Sequence, residues 1–258
     1  MPINNIIVNC TTGQQAADSI NCIITCLDTV AGLVGGTGAD SMKSSASLTS
    51  TPADAQGTCS IALGHNAISS GPNSIAIGED TCASANCSIA IGKNVTALVA
   101  RAITIGENAT GVQANTIQIG YAANANGSES VAIGYIARGS GSGGTVAVGY
   151  DACAGGNASV AIGQGTRAVS TNRSVAIGGE ACAVGDYSSS IGYRSCATHA
   201  SSVVLGCCVI SKADCTTHVD GLYVRTTPTH ADNAAALSAG LTGGQVYRTG
   251  TGTLQVVY

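Results

Sequence analysis

The sequence predicts an all-β protein whose bulk is a parallel β-roll, a solenoid of short coils stacked one upon the next. Three observations carry that prediction. A short phrase recurs, from Ser60-Ile61-Ala62-Leu63-Gly64 through Ser74-Ile75-Ala76-Ile77-Gly78 and Ser88-Ile89-Ala90-Ile91-Gly92 to Ser202-Val203-Val204-Leu205-Gly206. Its eleven glycines (Gly64, Gly78, Gly92, Gly106, Gly120, Gly134, Gly149, Gly163, Gly178, Gly192, Gly206) lie 14 residues apart, except for two intervals of 15. A fixed period of this kind marks a stacked repeat. Composition agrees, with 9% charged residues, 35 Gly and neither Phe nor Trp among 258 residues. A globular core draws much of its buried area from aromatics. A solenoid does without them, because each thin repeat buries a small apolar face against its neighbours.

Taken in order, residues 3–8 read as a short strand. Thr12 and Gln15 form a capping box for a helix that Gly35 and Gly36 close. Ile20, Ile23, Leu27, Val30 and Val34 follow the 3-4-3-4 spacing of a coiled-coil seam. β-Branched residues at both seam positions favour three strands, although a single helix packed on the roll accounts for the same pattern. Residues 1–36 are therefore expected to be a trimerising strand and helix. Residues 37–58, rich in Gly, Ser, Ala and Thr and broken by Pro52, read as a linker or cap over the first coil. The roll itself is expected over residues 59–210.

Within one coil, large apolar residues alternate with small ones, as in a strand with two distinct faces. The expectation is that the large ones fill the roll: Ile75, Ile77, Ile89, Ile91, Val131, Ile133, Val160, Ile162, Val175 and Ile177. The facing strand answers with Ala67, Thr81, Val95, Ala109 and their equivalents, three places after each glycine. Eleven such rungs make a stack on the order of 50 Å long. The small middle residues Ala62, Ala76, Ala90, Ala132, Ala147, Ala161 and Ala176 are then left pointing outward. A smooth alanine stripe suits close approach by another backbone, so these positions, with Ile20, Ile23, Leu27 and Val30, are the expected trimer interface. A lone roll with a bland surface is the alternative.

The Ser-Val-Ala-Ile-Gly phrase at a 14-residue period resembles the head of trimeric autotransporter adhesins, the YadA-like heads. The resemblance covers residues 59–209. It implies a left-handed parallel roll, three copies about a three-fold axis, and Val and Ile filling each roll. The chain departs from that family after Gly206, where no neck motif, long stalk or membrane-anchoring barrel follows. Residues 211–258 read instead as a cap. Asp232 opens a short helix that Gly240 ends, and Gln245–Thr249 and Thr253–Tyr258 flank a Gly250-Thr251-Gly252 turn as a β-hairpin. This ending is similar to the termini of phage and large-virus fibre proteins.

Other chemistry is sparse. A net charge of −4 supplies no basic patch for nucleic acid. The run Ile20–Val34 is too short to span a bilayer, and residues 1–8 carry no leader-like pattern. The four histidines, His65, His199, His218 and His230, have no partnered carboxylate at a recurring offset, and no phosphate loop occurs. Twelve cysteines fall largely into columns, so packing is a better reading than zinc. Cys182 and Cys196, one coil apart, are a candidate disulfide. The seven Asn-x-Ser/Thr sites, at Asn9, Asn86, Asn94, Asn108, Asn126, Asn157 and Asn172, read as turn chemistry, and as glycan sites only on a protein secreted by a eukaryotic host. No cofactor, metal or enzymatic activity is expected. The expected function is a homotrimeric fibre or appendage, on a virion or otherwise extracellular, that mediates attachment to a receptor or glycan the sequence does not name. A self-polymerising filament subunit and a bacterial adhesin head are the alternatives.

Overall fold

The structure, a computed structural model, describes residues 33–44, 52–221 and 227–258. Two compact units divide the chain, one ending at Asp220 and the other running Gly221–Tyr258. In the first unit, the leading strand of every coil joins a fourteen-stranded sheet. It opens with Leu33–Gly35 antiparallel to Met42–Ser44, then runs parallel through Ile61–Leu63 and Ile75–Glu79 to Val203–Leu205 and Thr217–Val219. Register never slips: Ile61 pairs with Ile75, and Ile75 with Ile89. Both 15-residue intervals keep it as well, because Val131 still meets Val146 and Val160 still meets Val175. The returning strands are two residues each. They form a five-stranded sheet from Asp54–Ala55 to Thr110–Gly111 and a six-stranded one from Asn124–Ala125 to Cys196–Ala197.

Each coil turns twice, and each turn uses a left-handed residue. One follows the repeat glycine (Asn66, Asp80, Asn94, Asn108, at φ between 51 and 56°), and the other lies two residues before the next long-sheet strand (Asn73, Cys87, Arg101, Asn115, at 54 to 59°). The glycine itself is required by the neighbouring coil: at Gly92, φ is 136° and a Cβ would fall 1.6 Å from the carbonyl oxygen of Gly106. The serine of the phrase has a separate task. Ser74 Oγ donates to the Gly71 carbonyl at 2.6 Å, Ser88 to Ala85 at 2.7 Å and Ser159 to Gly156 at 2.8 Å. Each bond ties the serine to the turn that precedes it, and the Ala85 carbonyl accepts from Ser88 N as well, at 3.2 Å.

The inside of the roll reverses the sequence expectation. Ala62, Ala76, Ala90, Ala132, Ala147, Ala161 and Ala176 are all 0% exposed and form the interior, not an outward interface. They share it with Ala67, Ala83, Ala97 and Ala154, and with Ser74 and Ser88. Ile75, Ile77, Ile89, Ile91, Val131, Ile133, Val160 and Val175 are half-buried, and Ile162 and Ile177 are 38% and 36% exposed. They do not fill the roll; they line its outside. The reason is parity and width. Ser74 and Ala76 lie on one face of the strand, so Ile75 and Ile77 must lie on the other. Between two strands this close the space is filled almost wholly by Ala, Ser and Thr side chains. At the interior position Gly139, even a Cβ would come within 2.8 Å of Thr145 Oγ1.

One coil carries a larger interior side chain. Gln118 stands in the alanine column, wholly buried, where the five- and six-stranded sheets part. With its amide nitrogen turned inward it donates to Ala123 O at 3.0 Å and Thr110 O at 3.1 Å. The ladder of short returning strands is interrupted at this step, and the amide bridges the gap, while the long sheet runs through unbroken.

The roll also outruns residues 59–210. Met42–Ser44 and Asp54–Ala55, expected in a cap, already belong to its sheets, and Thr217–Val219 adds a last rung. Val34, expected on a helix closed by Gly35, is in a strand instead. Ile20, Ile23, Leu27 and Val30, and the strand expected over 3–8, lie outside the described residues. In the second unit, helix α1 (Asn233–Ser238) starts from Asp232, whose side chain accepts from Ala235 N at 2.8 Å. Val246–Arg248 and Leu254–Val256 form the expected hairpin. Its core is Ala236, Tyr247 and Val257, with Leu241 packed against it.

Two expectations follow for stability. Ala132→Leu overfills the interior and should cost about 1–3 kcal/mol, read as a lower denaturation midpoint. Ile136 holds a left-handed turn position at φ 50°, strained for a β-branched residue. Ile136→Asn should therefore stabilise by about 1 kcal/mol, read in the same unfolding experiment; a lower midpoint would contradict the assigned strain.

Candidate functional site

The feature that distinguishes this surface is a double column of apolar side chains on the outer face of the long sheet. One column runs Ile61, Ile75, Ile89, Ile103 and Ile117 to Val203, and the second runs Leu63, Ile77, Ile91, Ile105 and Ile119 to Leu205. The first column is half-buried by its own stacking, whereas Ile119, Ile191, Leu205 and Val219 of the second are 36%, 41%, 37% and 43% exposed. A solvated strand face carries Lys, Glu and Thr. An exposed apolar face this long, interrupted between Ile61 and Val203 at Ser189, marks an interaction surface.

The turn that follows each repeat glycine borders this face with polar and aromatic ladders. Tyr121, Tyr135 and Tyr150 occupy equivalent places in consecutive coils and stack at 5.0 and 5.2 Å between ring centres. Lys93 pairs with Glu79 at 3.2 Å, and Arg194 pairs with Glu180 at 2.7 Å while lying over the Tyr193 ring. Each acid holds its partner cation above its ordinary pKa through a hydrogen bond and charge. Asn66 donates to Asp80 at 2.8 Å and Asn94 to Asn108 at 2.7 Å. All these pairs link one coil to the next, so they reinforce register; exposed to solvent, they add little to stability.

Nucleophilic chemistry finds poor support in the geometry. His199 Nδ1 lies 3.0 Å from Ser211 Oγ, which resembles half of a catalytic pair. That hydroxyl is buried, and its oxygen already accepts from Thr198 N at 2.9 Å and His199 N at 3.1 Å. His218 Nε2 accepts from Lys212 N, and His230 packs edge-on against Tyr247. Cys82, Cys153, Cys182 and Cys196 are half-buried in one column. Cys182 and Cys196 lie side by side in register, as the sequence spacing requires, but both are free thiols and the disulfide is not formed. Side chains stacked in parallel register point the same way, and a disulfide needs Cβ atoms that converge.

Burial, reinforced by the neighbouring Cys182 thiol, pushes Cys196 up to about 11, and burial raises Cys82 as well. The folded state thus holds the Cys196 proton more tightly than the unfolded chain does. Its contribution to stability is whole below the ordinary thiol value of 9.0 and is lost as pH rises through about 11. At pH 8, iodoacetamide should label exposed Cys59 and Cys215 well ahead of Cys196, with the gap closing as pH approaches 11. Peptide mass spectrometry reads this directly, and equal rates at pH 8 would refute it.

Comparison with known families gives a match to the YadA head domain repeat (2 copies) over residues 55–81, 70–94, 114–135, 143–166 and 172–195. No curated protein matches the chain. The matched segments fall on the coils of the roll and leave out the C-terminal unit, so the similarity to fibre termini gains no support from them. Between residues 55 and 195, this chain is built of YadA head domain repeats, the adhesin-head type of β-roll.

Proposed function

We propose that this protein is a non-enzymatic attachment protein whose rolls associate as a homotrimer through the outward Ile and Val columns. The observation that carries this reading is the exposed apolar face of the long sheet, typified by Ile119, Ile162, Ile177, Ile191 and Leu205. Covering such a face with the same face of sister rolls removes it from water, and a closed ring leaves no copy of it exposed. The interface therefore moves from the alanine column, where the sequence put it, to the isoleucine column one residue away. The adhesin-head repeats support display on a surface, whether of a virion or of a cell, with the turn ladders facing outward. Attachment then comes from many weak contacts repeated along the roll and multiplied by three, as avidity rather than as one deep pocket.

Light scattering coupled to size exclusion tests this. The wild-type chain should elute at three times its 25.2 kDa mass, and a double variant, Ile133→Glu with Ile162→Glu, at the mass of one chain. Those substitutions touch the outer face alone, so circular dichroism should remain that of the folded roll. A wild-type protein that stays monomeric would end the proposal. A mass that grows with concentration and never levels would favour an open filament over a closed trimer.

A further inference from the structure

The turn between the first two matched coils brings a histidine beside two carboxylates. His65, Glu79 and Asp80 are all exposed, and one ligand atom from each lies within 4.8 Å of the other two. They converge because the roll stacks its turns in register. His65 and Glu79 each follow a repeat glycine, so they sit one above the other on adjacent coils. Asp80 follows in the left-handed conformation at φ 54°, and its N–H donates to the His65 carbonyl at 2.9 Å. That bond fixes the two backbones relative to each other. Asn66 Nδ2 donates to Asp80 Oδ1 at 2.8 Å, which orients the carboxylate and leaves its second oxygen free.

We infer that His65, Glu79 and Asp80 form a binding site for a divalent transition-metal ion of the zinc type. The donor set is one imidazole nitrogen and two carboxylate oxygens. Imidazole suits zinc, nickel or copper, whereas calcium and magnesium take oxygen donors. Two carboxylates neutralise a divalent ion, and water completes the shell on the exposed side. Short rotations of exposed side chains bring donors at this spacing to the roughly 2.0–2.2 Å that zinc requires. The neighbouring coils act as internal controls. The residues that follow Gly92 and Gly106 are Lys93-Asn94 and Glu107-Asn108, and His65 is the one histidine that directly follows a repeat glycine. Lys93, 3.2 Å from Glu79, is the competitor that the ion must displace, and an exposed pair of that kind is weak.

Thiols also bind zinc, so the test uses the full chain alkylated with iodoacetamide and then titrated calorimetrically with zinc chloride. The expected result is saturation at one ion per chain. His65→Ala and Asp80→Asn should each lose at least about tenfold in affinity, while Lys93→Met binds more tightly because the competing charge is gone. Zinc should raise the melting temperature of the wild type but not that of His65→Ala, and in EDTA the two should melt alike. Absence of any binding heat, or undiminished affinity in His65→Ala, overturns the site. Neither result bears on the trimer, whose interface lies on the other side of the turn glycine.

Discussion

The narrowness of a fourteen-residue coil governs everything else in this molecule. Two strands, one of only two residues, leave between them a slot that alanine, serine and threonine fill. Ala76 and Ala90 are wholly buried there, and at Gly139 an added Cβ would come within 2.8 Å of the Thr145 hydroxyl. Once the slot is full, the large apolar residues of the same strand have nowhere to go but outward. The interior therefore supplies little hydrophobic area per coil, and the area that remains is on display. A roll of this kind is stabilised by repetition: in-register backbone bonds, stacked isoleucines, and turn side chains bonded to their equivalents one coil away.

The turns are as exacting as the slot. Each coil needs two left-handed residues, and the chain meets the demand with Asn and Asp in some copies and with Arg, Glu, Tyr or even Ile136 in others. That tolerance follows from the stack, because a neighbouring coil over-determines the backbone on both sides and carries the local strain. It also leaves the turn side chains free to vary. One turn consequently carries stacked tyrosines, another ion pairs, and another a histidine beside two carboxylates. Function in such a protein is written on the corners and on the outer face, while the interior repeats.

How much of this was legible beforehand can be argued from particular residues. The period, the Asp232 cap and the Gly250-Thr251-Gly252 hairpin were all readable, since each depends on local spacing or turn chemistry; the count of eleven coils fell short, because Met42–Ser44 and Thr217–Val219 add rungs outside the repeated phrase. The alternation of large and small was readable too. Which face was inside was misread, because bulk is ordinarily a guide to burial and here it points the wrong way. A signal was present: Ser60, Ser74 and Ser88 share parity with the alanines, and the Ser74 and Ser88 hydroxyls cap turn carbonyls inside the roll. Gln118 was equally visible as the odd member of the alanine column. Its role at the parting of the two short sheets was not, because that depends on backbone bonds missing between Thr110 and Ala123.

The linear sequence by itself determined the coil: its length, its glycine turn and its stacking in register. These follow from period and side-chain size, which are properties of neighbours along the chain. Only the tertiary structure decided the sidedness of the strands, the distance from His65 to Glu79 and Asp80, and the separation of the Cys182 and Cys196 thiols. Those depend on how far one strand lies from the strand that faces it and on what the adjacent coil places beside it. A repeat states that such neighbours exist, and the width between them is settled only when the chain has wound.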